Sequence, residues 1–213
     1  MKRLLAFFLA VITVLTLVPA TAFAASAKLI IVESGQQPKE VAMAASASGS
    51  GWSWDGAKKK LLLSGFNGES ISAGGDMTLV LKGKNTITLA KRADFGIKVD
   101  GKLTIEKNSS SSTDTLTILQ KTTASSSNLI LTGGVGEDKA CVINGGTVTL
   151  TNSTGGGNGS GIGYQAIVNN DASLIVSVPY RGVAQKLTAN TTGKIDITTT
   201  GNNAFAAAVL ITL

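Results

Sequence analysis

The 213-residue chain contains no histidine. Histidine is the usual general base and the commonest zinc ligand, so Ser-His-Asp, Cys-His and HExxH chemistry are all excluded. Cys141 is the only cysteine, which rules out an intramolecular disulfide. Its place just before Val142 in an alternating stretch suits a small buried hydrophobe. Aromatic residues make up only 5% of the chain, against 25 glycines. That balance favours many short strands and turns over a helical bundle.

What is present begins with an export leader. Lys2 and Arg3 precede an apolar run from Leu4 to Val18, Pro19 breaks it, and Ala22-Phe23-Ala24 offers the small residues a signal peptidase accepts. Residues 1–24 therefore read as a signal peptide, and the expected location is secreted or cell-surface. Losing Lys2 and Arg3 takes the formal charge from +6 to +4, because the first 24 residues hold no acid. No membrane span is expected once the leader is removed.

The rest is organised around one repeated phrase. It occurs as Ile71-Ser72-Ala73-Gly74-Gly75-Asp76-Met77-Thr78-Leu79, and again from Ile97 to Ile105, from Val142 to Leu150 and from Val168 to Val176. Each copy is an apolar lead, a Gly- or Asn/Asp-containing corner and an alternating strand. One copy has one apolar face and cannot bury it alone, whereas stacked copies can. The leads lie 26, 45 and 26 residues apart, and the wide gap is expected to hold two shorter turns. Thr115–Leu119 and Asn128–Leu131 would supply the missing turn. The expected fold is all-β, a β-solenoid over residues 52–213.

Residues 25–51 read as an N-terminal strand followed by a flexible connection, because Pro38 and the Ala/Ser/Gly-rich stretch from Ala42 to Gly51 are poor core material. Trp52 and Trp54, the only tryptophans, then stand at strand spacing and share one side. Paired indoles can stack on sugar rings. They can also plug the open end of a solenoid, and that is the favoured reading, because the stretch leads straight into a strand. Asp55-Gly56 is a hairpin turn leading to the strand from Lys60 to Leu63.

Gly51-Trp52-Ser53-Trp54-Asp55-Gly56, then Leu61-Leu62-Leu63-Ser64-Gly65-Phe66-Asn67-Gly68, then Asp76 to Thr88 resembles a phrase of secreted surface proteins of Gram-positive bacteria, the carbohydrate-binding domain family with a right-handed β-helix of pectate-lyase-like shape. The resemblance implies a right-handed parallel β-helix, pectin-lyase-like, that binds polysaccharide without catalysis. Right-handed crossovers are also the general preference for parallel strands. In that family acidic residues beside the coils can hold calcium. Here Asp94 and Asp100 are the candidates, although Ala93-Asp94-Phe95-Gly96-Ile97 carries one aspartate where family repeats often carry two. A hard cation wants several oxygen ligands, and Glu137, Asp138 and Asp171 are scattered through other repeats.

Tyr164, Tyr180 and Arg181 follow the glycine-rich stretch from Thr151 to Gly163 and are candidates to line a sugar groove with Trp52 and Trp54. Lys58-Lys59-Lys60, with Lys82, Lys84, Lys91 and Arg92, forms a basic cluster. No nucleic-acid motif accompanies it, so anionic wall polymers or uronic-acid glycans are the expected partners, while edge protection of a strand is the plain structural alternative. Gly96 to Lys102 imitates a phosphate-binding loop, but Leu103 stands where Ser or Thr is required. The apolar strand from Ala204 to Leu213 would leave an open edge that invites self-association, or mark a piece of a longer protein. The expected function is a non-catalytic polysaccharide-binding module; the alternatives are a structural stalk or adhesin segment and, further off, a lyase or hydrolase using Asp94, Asp100, Arg92 or Arg181.

Overall fold

In Thr115–Gln120 the side chains of Leu116, Ile118 and Gln120 are buried while Thr115, Thr117 and Leu119 are half exposed. That period-two alternation recurs along the chain and requires a surface with one dry side. The protein meets the requirement by coiling. The structure, a computed structural model, describes residues 27–89, 95–108, 113–121, 128–153, 159–200 and 208–211. Among these there are strands and turns but no helix, and none that could cross a membrane.

Five strands form the start: β1 (Lys28–Glu33), β2 (Lys39–Ala42), β3 (Ala47–Gly49), β4 (Trp52–Asp55) and β5 (Lys60–Ser64). Coils of three strands follow. They are β6 (Asn67–Ala73), β7 (Met77–Lys82) and β8 (Lys84–Leu89); β9 (Phe95–Val99), β10 (Leu103–Lys107) and β11 (Thr115–Gln120); and β12 (Asn128–Leu131), β13 (Cys141–Ile143) and β14 (Thr147–Asn152). Next come β15 (Ser160–Ile162), β16 (Gln165–Asn170) and β17 (Ser173–Val178); β18 (Arg181–Val183), β19 (Lys186–Thr191) and β20 (Ile195–Thr199); and finally β21 (Ala208–Ile211). The architecture is a parallel β-helix with three faces.

Face 1 is β6-β9-β12-β15-β18, face 2 is β5-β7-β10-β13-β16-β19-β21, and face 3 is β8-β11-β14-β17-β20, all parallel. The first half of β6 pairs with β8 and its second half with β9, so this one bent strand joins faces 3 and 1. Inside, Ile71, Ile97, Ile130, Ile162 and Val183 stack beneath face 1, and Leu79, Ile105, Ile143 and Val168 beneath face 2. Ile87, Ile118, Leu150 and Val176 do the same beneath face 3. These stacked side chains are essentially inaccessible. Each such burial is worth roughly 1.5–3 kcal/mol.

The register corrects the expected period. Copies one and two of the phrase straddle the corner from face 1 to face 2, whereas copies three and four straddle the corner from face 2 to face 3. The interval from Ile97 to Val142 is therefore one coil and one further strand, not two short turns. β11 closes one coil and β12 opens the next. The last corner also carries one extra residue: Ile143 pairs with Val168, yet Thr147 pairs with Ser173, and Asn170 takes up the difference at φ 60°.

The stretch expected as a flexible connection is instead part of a cap. β1 runs antiparallel to β6, β2 pairs with β1, and β4 pairs antiparallel with both β3 and β5. Reversed strands thus cover the first edges of faces 1 and 2. The polar composition that suggested a loop reflects exposure, since β2 and β3 have little buried surface. Phe66 seals the floor of the first coil. Its ring lies so close to Gly68 that any Cβ there would fall 2.3 Å from it, which is why only glycine fits. Asn85, itself buried, accepts the Phe66 N–H at 3.0 Å and donates to the carbonyls of Gly83 and Thr115, both at 3.2 Å.

Candidate functional site

Trp52 and Trp54 alternate with exposed Ser53 on β4 and are 3% and 2% accessible. The Trp52 indole N–H donates to Glu33 at 2.7 Å, and that of Trp54 to the Met43 carbonyl at 3.3 Å. Lys39 lies 5.0 Å from the Trp52 ring centre. Both indoles belong to the core of the cap, so the sugar-stacking role considered for them is corrected: neither offers a free face. Their alternation is inward because the partner strand β5 turns Leu61 and Leu63 the same way.

The other aromatic candidates are not brought together. Arg181 lies over Tyr180 with its guanidinium 4.8 Å from the ring centre, and β18 pairs Arg181 with Ser160. Tyr164 falls past the opposite end of that short strand pair, its carbonyl accepting the Gln185 N–H at 3.2 Å. The two tyrosines are half buried and attend different corners. Asp100 is exposed and lies 3.4 Å from the ammonium of its neighbour Lys98. Asp94, Lys91 and Arg92 lie outside the described residues, as does the leader. Among the described residues no three of His, Cys, Asp and Glu converge as a group that could hold a metal. Cys141 is fully buried, and burial pushes its thiol up to about 12.

The structure does assemble a different set on face 2. At the corner leading into β5, β7 and β10, a shallow depression of about 170 Å³ is lined by Lys58, Lys59, Asp76, Met77, Thr78, Lys102 and Thr104. The register explains the convergence. Lys60 pairs with Thr78 and Thr78 with Thr104, so the residues just before each strand stack from three successive layers. Asp76 is fixed there: its carboxylate accepts the Lys102 backbone N–H at 2.9 Å and rests where a Cβ on Gly101 would be 2.1 Å away. Lys58 is 3.2 Å from Asp55, whose carboxyl is held below the ordinary carboxylate range, chiefly by the Lys58 backbone N–H. Lys59 and Lys102 have no ion pair among the described residues.

Above the depression the same face carries an amide ladder. Asn169 donates to the Asn144 side chain at 3.0 Å and receives from Asn190 at 3.5 Å, each amide coming from the next coil. Lys60–Glu106 (3.7 Å) and Lys107–Asp171 tie coils that are not neighbours. Lys107 reaches Asp171 by lying over Gly145, and its ammonium holds the Asp171 carboxyl below the usual range. The result is a polar stripe along the helix axis, with one carboxylate, Asp76, in its depression. Sequence reasoning missed the stripe; the spacing of Asn144, Asn169 and Asn190 by nearly one coil was the available signal. Comparison with family models, with curated proteins and with solved structures returns no match for this chain.

Proposed function

We propose that the protein is a polysaccharide-binding module of the cell exterior that holds an extended glycan along face 2 without altering it. The observation that carries this reading is the amide ladder Asn144–Asn169–Asn190, on the same face as the depression at Thr78 and Thr104 and two residues further along the strands. Amides present a donor and an acceptor each, which suits sugar hydroxyls. Because the ladder already orders its side chains, less rotamer entropy is lost when a ligand arrives. Parallel strands repeat every ~4.8 Å, so the stripe offers equivalent contacts at regular steps along a chain laid on it. Glycoside hydrolysis calls for two carboxylates about the scissile bond. Among the described residues Asp76 is the one carboxylate lining the depression, and the two others on the stripe, Glu106 and Asp171, are paired with Lys60 and Lys107. The export leader read at residues 1–24 supports a location outside the cell.

Affinity electrophoresis in gels containing soluble polysaccharides tests the reading. Retardation should occur in at least one gel, weakening about tenfold in an Asn144→Ala/Asn169→Ala variant and not in a Thr117→Ala/Thr149→Ala control on face 3. Equal loss in both variants, or no retardation of folded protein by any plant, host or wall polymer, would overturn it and leave the stalk reading.

A further inference from the structure

The depression and the ladder above it differ in charge, and nothing in the glycan-binding reading requires the lysines. Seven glycines adopt positive φ in the described chain, among them Gly65 and Gly83 at the far ends of β5 and β7, but at Lys59 a lysine holds φ 50°. Glycine would occupy that conformation without steric cost. Lysine there is strained, and its ammonium is one of the two at this corner without an acidic partner among the described residues. In the strand register Lys58 and Lys102 stand on either side of Asp76, whose carboxylate is already engaged by a backbone N–H, while the Lys58 ammonium is drawn to Asp55. Two threonine hydroxyls complete the lining. The depression, about 170 Å³ and open to solvent, has room for one small anionic group.

Resting on the glycan-binding reading, we propose that this depression receives the phosphate group of an anionic, phosphodiester-bearing wall polymer, with the rest of the chain lying over the asparagine ladder. Besides Asp76 and Met77 the lining consists, among the described residues, of lysines and threonines, with no arginine. Ammoniums act as point charges around a tetrahedral anion, whereas planar carboxylates are better matched by the arginine fork. Thr78 and Thr104, opposite each other in the register, donate to phosphate oxygens; Asp76 keeps the Lys102 corner in place.

Titration of the leaderless protein with a glycerol-phosphate polymer, a polyuronate and a neutral polysaccharide separates the outcomes. The phosphate polymer should bind most tightly, and raising salt should weaken it while leaving neutral-polymer binding unchanged. Lys59→Gly should weaken phosphate-polymer binding about fivefold and raise the melting temperature, because strain and ligand contact are removed together; Lys102→Gln should weaken binding by a similar factor. Equal or tighter binding of the polyuronate, or unaltered binding in Lys59→Gly with a raised melting temperature, would overturn the phosphate proposal while the glycan reading stands. Loss of binding to all three polymers in folded wild-type protein would remove both.

Discussion

In the cap, Trp52, Trp54 and Phe66 fill the space beneath the first coil, whereas from β9 onward the described core contains aliphatic side chains and Cys141 with no buried aromatic ring. The strands differ in the same way: antiparallel at β1–β6 and β3–β4–β5, parallel in every coil above. A coil inside the stack meets an identical floor and ceiling, so side chains of nearly constant size repeat. A terminal layer has no coil below it and needs large rings to close the opening, and the two indoles among them each bring an N–H that finds a partner. Reversing the strands gives the first edges hydrogen-bond partners while preventing another parallel coil from adding there.

The sharpest way to break this contrast is Trp54→Ala, expected to lower unfolding stability by about 3–5 kcal/mol in urea titrations. A loss below about 1 kcal/mol would show that the cap is an appendage and not a closure. The coils have their own test at Cys141, whose thiol is raised from 9.0 to about 12 by burial. A raised folded value means its contribution is complete below the unfolded pKa and is lost as pH climbs from there. Stability should therefore fall above pH 9 by about 1.4 kcal/mol per pH unit from this group, and Cys141→Ala should flatten that slope relative to wild type. Smaller again is Ile143→Val in the middle of the stack, expected to cost about 0.5–1.5 kcal/mol. Should it match Trp54→Ala in size, the distinction between closing layer and repeating layer would fail.

Alternation made the inward positions of the coils readable: Leu116, Ile118, Leu150 and Val176 were all on the apolar side of their strands. Which face each strand joins was not, because a period of two says nothing of the corner at which a phrase falls. Copies at two different corners look alike, since both need an apolar lead, a tight bend and an alternating strand. Of the cap, the plug formed by Trp52 and Trp54 was legible, but its outer strands were not, for another reason. β2 and β3 are short and polar, and their hydrogen bonds come from partners distant in sequence. The lysine corner joins Lys59 to Lys102 through layers whose lengths differ, so no fixed spacing could have marked it; Tyr164, Tyr180 and Arg181 were individually visible, but the register that separates them was not.

The cap has a further consequence for the order of events during folding. β3, β4 and β5 are linked by short turns and contact one another locally, whereas every coil above requires contacts across a whole turn of the helix. Local contacts form fastest, and a chain made from its N-terminus delivers them first. The finished meander then exposes one ordered edge, β5, on which β7 can pair, and each added turn renews a template for the next. Growth in one direction from a seeded end lets each coil meet an ordered edge as it arrives, before it has to search for a partner among unfolded segments.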